Sequence, residues 1–302
     1  VMLFTIKSPF KDPIPKQTTH EQCNLSSGFS GKLKRRFSTM TDTLDFFDGP
    51  EEPDPVPNRR LRIGITERGD GGLEIDTVLK KLPKLDGAII VTKAPQLLLN
   101  KDLPPNTVIH ATITGMGGTV MEPGVADPDV TIPAYLELVK KYGGQRVVLR
   151  VDPILPEDED IWQKAHLIKR EWLPEQAEGC RVRISFLDFY PHVVKRILAI
   201  GYRGWIPKNS IHADIVMREF GWKVLNRITL EKTGNSVEVC GEPDLPCTGC
   251  VSERDLKAMG ITVPAGEDLK NQRPCCLCLA SKVELLEHRG QCAHRCAYCY
   301  WK

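Results

Sequence analysis

The sequence predicts an α/β protein built around a parallel sheet, and three observations predict it. From residue 61 onward, short apolar runs alternate with helical stretches; the runs are β-branched and apolar on both faces; and the spacing leaves room for a crossover helix between successive runs. An open sheet and a barrel both satisfy this pattern. With 302 residues, 41% hydrophobic and 26% charged, the chain has the apolar material for a large core, which excludes a disordered protein.

Residues 1–60 read as an irregular N-terminal arm, punctuated by Pro9, Pro13, Pro15, Pro50, Pro53, Pro55 and Pro57. Its basic run, Lys32-Leu33-Lys34-Arg35-Arg36, is read as a solvated loop in preference to a phosphate contact. Residues 61–239 carry the α/β pattern. Strands are predicted at 61–66, 88–92, 108–114, 147–151 and 182–187, with helices at 75–82, 132–142, 160–177 and 191–200. A further helix at 211–220 and a last strand at 236–240 follow. Strand ends in such folds carry site residues, and the ends here are polar: Glu67-Arg68, Lys93, Thr114-Gly115, Arg150 with Asp152, and Asp188.

Residues 240–302 form a cysteine-rich tail. Nine of the eleven cysteines fall there, and Cys23 and Cys180 stand apart as buried or incidental thiols. The odd total, with no secretory segment at Val1–Pro9, argues against a disulfide framework and for thiols kept reduced in the cytoplasm to hold metal. No apolar run approaches the roughly 18 residues of a membrane helix, so no membrane partner is expected. The net charge of +2 gives no general attraction to nucleic acid.

The last cysteines, Cys292, Cys296 and Cys299, are spaced to ligate three irons of a [4Fe–4S] cluster and leave the fourth iron open. An open iron suits the amino and carboxylate groups of S-adenosylmethionine, and Tyr298 stands where a ring would meet adenine. Zinc is the alternative; it would take a fourth ligand such as His288 or His294.

This segment resembles the signature of the radical S-adenosylmethionine superfamily. In ordinary members it follows the first barrel strand near the N-terminus, whereas here it lies near residue 300. The arrangement resembles a circularly permuted family described as a domain of unknown function and loosely grouped with spore photoproduct lyase. Asp86-Gly-Ala-Ile-Ile-Val-Thr-Lys93-Ala-Pro95, Thr112-Ile-Thr-Gly115, Val148-Leu-Arg150-Val-Asp152-Pro-Ile154, Ser185-Phe-Leu-Asp188-Phe-Tyr190 and Lys270-Asn-Gln-Arg273 carry the likeness, in order, across residues 61–300. The opening segment departs from it: Thr66-Glu67-Arg68-Gly69-Asp70 stands where the family usually has Ser-Arg-Arg-Thr-Asp.

The fold implied is a partial (β/α)6-type parallel barrel, circularly permuted, whose first strand position is filled by the segment before Cys292 and lies beside the strand at residue 61. The resemblance also implies a second thiolate set, Cys240, Cys250, Cys276 and Cys278, holding a second [4Fe–4S] cluster or a zinc ion. On spacing alone Cys247 can replace one of these four.

The cofactor assigns roles to the strand ends. Glu67 is the candidate for its amino group, Lys93 or Arg150 for its carboxylate, with Arg150 favoured for its bidentate geometry, and Asp152 or Thr114 for its ribose. A plain Arg150–Asp152 ion pair is the competing account. The expected activity is reductive cleavage of S-adenosylmethionine to a 5′-deoxyadenosyl radical that abstracts hydrogen from a substrate. An electron donor such as flavodoxin or ferredoxin is then implied, with a nucleotide or nucleic acid a conceivable substrate. The opposed reading is a zinc-binding, nucleic-acid-binding module.

Overall fold

The last strand of the chain lies beside the first. A computed structural model describes residues 61–262, 277–279, 281–287 and 292–301. The predicted arm 1–60 and three residues of interest in the tail, Cys275, Cys276 and His288, fall outside the described residues.

The strands are β1 (Arg62–Ile65), β2 (Gly87–Thr92), β3 (Thr107–Thr112), β4 (Val147–Ile154), β5 (Arg181–Phe186), β6 (Glu238–Val239) and β7 (Ser281–Glu284). They form one parallel half-barrel sheet in the order β6-β5-β4-β3-β2-β1-β7. Among the described residues the sheet has seven strands where about six were expected. β7 pairs with β1 from Arg62↔Ser281 to Ile65↔Glu284, the position expected for the segment before Cys292.

The helices are α1 (Ile75–Lys81), α2 (Pro128–Tyr142), α3 (Asp158–Arg170), α4 (Pro191–Ala199), α5 (Ile215–Thr233) and α6 (Glu253–Ala258). Local chemistry explains where they differ from the predicted bounds. α2 starts earlier because Asp127 accepts a capping bond from Asp129 N (3.0 Å) and Pro128 fits the first helical position. α3 stops well before residue 177, since Trp172 and Leu173 turn into the core and Pro174 disfavours helix at Leu173. α5 runs from the cap Asp214, bonded to Val216 N at 2.8 Å, to Gly234 at φ 72°.

Each strand faces two environments. The outer face packs Ile90, Ile109, Leu149 and Ile184 against Val78, Leu138, Ile161 and Leu225 of the covering helices. Inside, the lower half of the half-barrel is filled by Ile63, Ile65, Ile89, Val108 and Val148 against Leu256 and Met259 of and beside α6. Further along the strands the interior turns charged. Arg181 bonds Glu238 and Asp255, each at 2.7 Å; Arg183 bonds the same two carboxylates at 2.5 and 3.1 Å. His110 adds a 3.2 Å contact to Asp255. Two guanidiniums balance two carboxylates, so all four groups can stay ionised in the interior. Beyond this layer the inward positions Thr112, Arg150, Asp152 and Ser185 open into a cavity. Among the described residues no helix is long and apolar enough to cross a membrane.

Candidate functional site

The cavity encloses about 540 Å³ at the C-terminal ends of the strands, and both cysteine groups border it: Cys292, Cys296 and Cys299 on one side, Cys240 and Cys250 on the other. Parallel strands deliver their last side chains to one rim, so residues distant in sequence meet there.

Asp70 ties the rim together. Its carboxylate accepts bonds from Thr92 Oγ1 and Lys93 N (each 2.6 Å), from Gly72 N (2.9 Å) and from His294 Nε2 (2.8 Å). Burial alone would raise the Asp70 pKa; the bonds from His294 and Thr92 outweigh it and hold the carboxyl below its ordinary range.

The loop carrying Cys292, Cys296 and Cys299 is fixed by its backbone. Gly124 N donates to His294 O (3.0 Å), and Ala297 N donates to Met121 O (2.9 Å). Gly124 is required by this approach: a Cβ there would overlap the Ala293 carbonyl and stand 2.8 Å from His294 Cα. On the far side Arg196 donates to the Cys299 carbonyl and His192 Nε2 to the Tyr300 carbonyl (2.9 Å). Phe189, Val193 and Ile197 pack beneath Cys296 and Tyr298.

His294 has both ring nitrogens facing oxygen acceptors, Nε2 towards Asp70 and Nδ1 towards Gly124 O at 3.1 Å. Burial alone would lower its pKa, but Asp70 outweighs burial and the net shift is upward. Thus the described histidine of the loop is committed to the scaffold, and its nitrogens are turned away from metal ligation. Burial pushes the Cys296 thiol up to about 12; Lys93 pulls it down, while Glu122 and the other two thiols push it up. The three sulfurs therefore lie within electrostatic reach of one another and of Lys93.

The second group draws together Cys240, Cys250 and Cys278. The Cys240 and Cys250 sulfurs are 3.0 Å apart, and Cys250 N donates to Cys278 Sγ at 3.1 Å. Cys247 points elsewhere, to the Glu242 carbonyl at 2.8 Å. Arg183 donates to the Cys250 carbonyl (2.9 Å), so the interior charge layer supports this group from below. Among the described residues no three His, Cys, Asp or Glu side chains converge as ligands of one metal ion.

The predicted strand-end residues divide between the two groups. Lys93 Nζ bonds Glu122 (2.9 Å) and the Asp152 carbonyl (3.3 Å), lies 5.3 Å from the Tyr298 ring centroid, and interacts electrostatically with Cys296. Arg150 forms the ion pair with Asp152 and interacts electrostatically with Cys240 and Cys250. Glu67 pairs with Lys282 (3.2 Å); burial first, and then the Cys250 charge, raise its pKa to about 7. Tyr298 lines the cavity and its hydroxyl donates to Glu122. Thr114 does not line the cavity: its hydroxyl turns to Glu122 Oε2 (2.7 Å).

Sequence reasoning missed Glu122, the buried acceptor shared by Lys93, Thr114 and Tyr298, because it sits in the long β3–α2 loop with no motif around it. Asp70 and His294 lie inside quoted segments, but spacing alone does not show that they meet.

The fold and the site define a class: a parallel α/β half-barrel whose strand ends face a cysteine-bearing loop. The chain belongs to the family described as Domain of unknown function (DUF1848), whose model matches residues 74–301. The match runs from the residue before α1 through the cysteine loop and leaves out the departing segment Thr66–Asp70. No curated protein and no solved structure matches the chain.

Proposed function

We propose that this chain is a radical S-adenosylmethionine enzyme, circularly permuted, in which Cys292, Cys296 and Cys299 hold a [4Fe–4S] cluster with one iron left for the cofactor. One observation carries the reading: three thiols on a single loop border a cavity at the strand ends, while the described histidine of that loop is turned away to Asp70 and Gly124. A structural zinc site wants a fourth protein ligand; a cubane with an open iron wants three, each on a different iron.

When bound, such a cluster supplies one electron to S-adenosylmethionine, whose cleavage yields the 5′-deoxyadenosyl radical that removes hydrogen from a substrate. The chain's own residues orient and shield. Lys93, on the Cys296 side, is the cation for the cofactor carboxylate, with Glu122 and the Asp152 carbonyl fixing its ammonium. Tyr298, held at its hydroxyl by Glu122, offers ring surface to the adenine. Cys240, Cys250 and Cys278, with Cys276, supply four thiolates for a second centre, iron–sulfur in our reading. An electron donor of the flavodoxin or ferredoxin class completes the scheme, and thiols kept reduced to hold metal suit a cytoplasmic setting.

Anaerobic reconstitution tests this directly. The wild type should turn brown, absorb near about 400 nm and cleave S-adenosylmethionine under reduction. The triple variant Cys292→Ala, Cys296→Ala, Cys299→Ala should lose about four irons per chain together with the cleavage. Unchanged iron in that variant refutes the assignment.

A further inference from the structure

Thr112 ends β3 with its side chain on the inner face, lining the cavity at 5% exposure. Among the described residues its buried hydroxyl has no hydrogen-bond partner. Such a group is costly where valine would fill the same shape. It stands in register with Arg150 on β4, whose guanidinium also lines the cavity.

Arg150 is only partly spent. A guanidinium carries five N–H donors, and one carboxylate, Asp152, cannot take them all. Asp152 in turn accepts a 2.5 Å bond from the Ser185 hydroxyl on its other oxygen. This stretch of floor is therefore rich in unspent donors, and its acceptor is already engaged. Its place matters too: Arg150 faces the Cys240 and Cys250 side, whereas Lys93 serves the Cys296 side.

We propose that Thr112 and Arg150 form a substrate subsite on the cavity floor, which grips an acceptor oxygen, carbonyl or carboxylate, of a small molecule held between the two cysteine groups. Calling that molecule the substrate rests on the function proposed above; the acceptor site itself does not. A methyl group at this position would leave both the Thr112 hydroxyl and the Arg150 donors unpaired, and an N–H, though the hydroxyl oxygen can accept it, would leave the Arg150 donors unpaired, so the subsite selects for oxygen.

The test is a ligand-observed NMR titration of the full-length reconstituted protein with acetate and, separately, acetamide, alongside melting curves and iron content. Saturable binding to the wild type is expected for at least one probe, and which one binds tells carboxylate from neutral carbonyl. Thr112→Val should weaken it by about three- to tenfold and Arg150→Met by roughly ten- to a hundredfold. The ligand-free Thr112→Val protein should melt no lower than wild type, because it loses an unpaired hydroxyl. No saturable binding of either probe, equal affinity in the Thr112→Val variant, or a lower melting temperature of that variant overturns the subsite. Failure of the radical reading shows separately, as missing iron in the wild type, and leaves the titration interpretable.

Discussion

Gly124→Ala isolates the attachment of the cysteine loop. The added methyl would stand 2.8 Å from His294 Cα and overlap the Ala293 carbonyl, whereas an ordinary carbon–carbon contact is about 3.5–4.0 Å. The loop must retreat by about 1 Å. Overpacking of this kind costs about 1–3 kcal/mol. The Gly124–His294 backbone bond and its neighbour at Ala297 weaken with it, at about 0.5–1.5 kcal/mol each. A net of about 2–6 kcal/mol shifts the docked–undocked equilibrium of the loop by a factor between roughly 30 and 25,000. The Gly124 backbone has no left-handed φ, so the effect is steric alone. The assay is maleimide labelling of Cys296, a buried thiol, in the metal-free protein, with hydrogen exchange at the Ala297 amide as a second probe. Both rates should rise by at least tenfold while the melting temperature of the half-barrel moves little. Unchanged labelling of Cys296 would refute the claim that Gly124 seats the loop.

Four further outcomes are expected. Lys93→Met should weaken S-adenosylmethionine binding by roughly ten- to a hundredfold, whereas Arg150→Met should leave it near wild type; calorimetric titration of the reconstituted proteins separates the two. His110 is held at about 4, chiefly by burial and then by the Arg183 charge, against an ordinary 6.5. The unfolded chain thus takes up that proton first, and the His110 contribution to stability should fall by about 3 kcal/mol as pH drops from 6.5 to 4 and then level off, against the opposite contribution of Glu67, whose raised pKa of about 7 favours the folded state as pH falls. His110→Gln should flatten this slope in urea unfolding curves collected across that range. Arg183→Met leaves Glu238 and Asp255 undercompensated and should cost about 3–5 kcal/mol, visible as a lower urea midpoint. Cys247→Ala should keep the metal of the second group, measured by elemental analysis, whereas Cys240→Ala should lose it.

The five strands β1 to β5 were legible because each carries an apolar outer face under the covering helices, and runs such as Ala88-Ile-Ile-Val91 are apolar on both faces. β7 was legible only indirectly. Ser281-Lys-Val-Glu284 has no strand composition, and its place followed from the position of the cysteine loop. α5 was half seen, since its apolar residues do not concentrate on one face and only its caps mark its length. The alternation of Arg181 and Arg183 with Val182 and Ile184 belongs to a strand with a charged inner face, a pattern that becomes meaningful only once Glu238 and Asp255 are seen to meet it. In the site, the cysteines and the strand-end polar residues could be read off in order. Which cation faces which cysteine group depends on three-dimensional neighbours, as do the Asp70–His294 link and the role of Glu122.

The pairing of β7 with β1 also sets a clock. Glu67 N and Arg68 N are bonded by Glu284, which lies 217 residues beyond Glu67. At synthesis rates of about 5–20 residues per second, β1 waits about 10–40 s for its neighbour, while β2 to β5 can assemble beside it. Its uncovered edge is kept short, at four residues, and carries Arg62 and Gly64, which limits wrong pairing in that interval. The cysteine loop, made later still, settles on a half-barrel already in place. On the proposed function, a system that loads the cluster would therefore meet a nearly finished sheet, and filling of the site would belong to the end of folding.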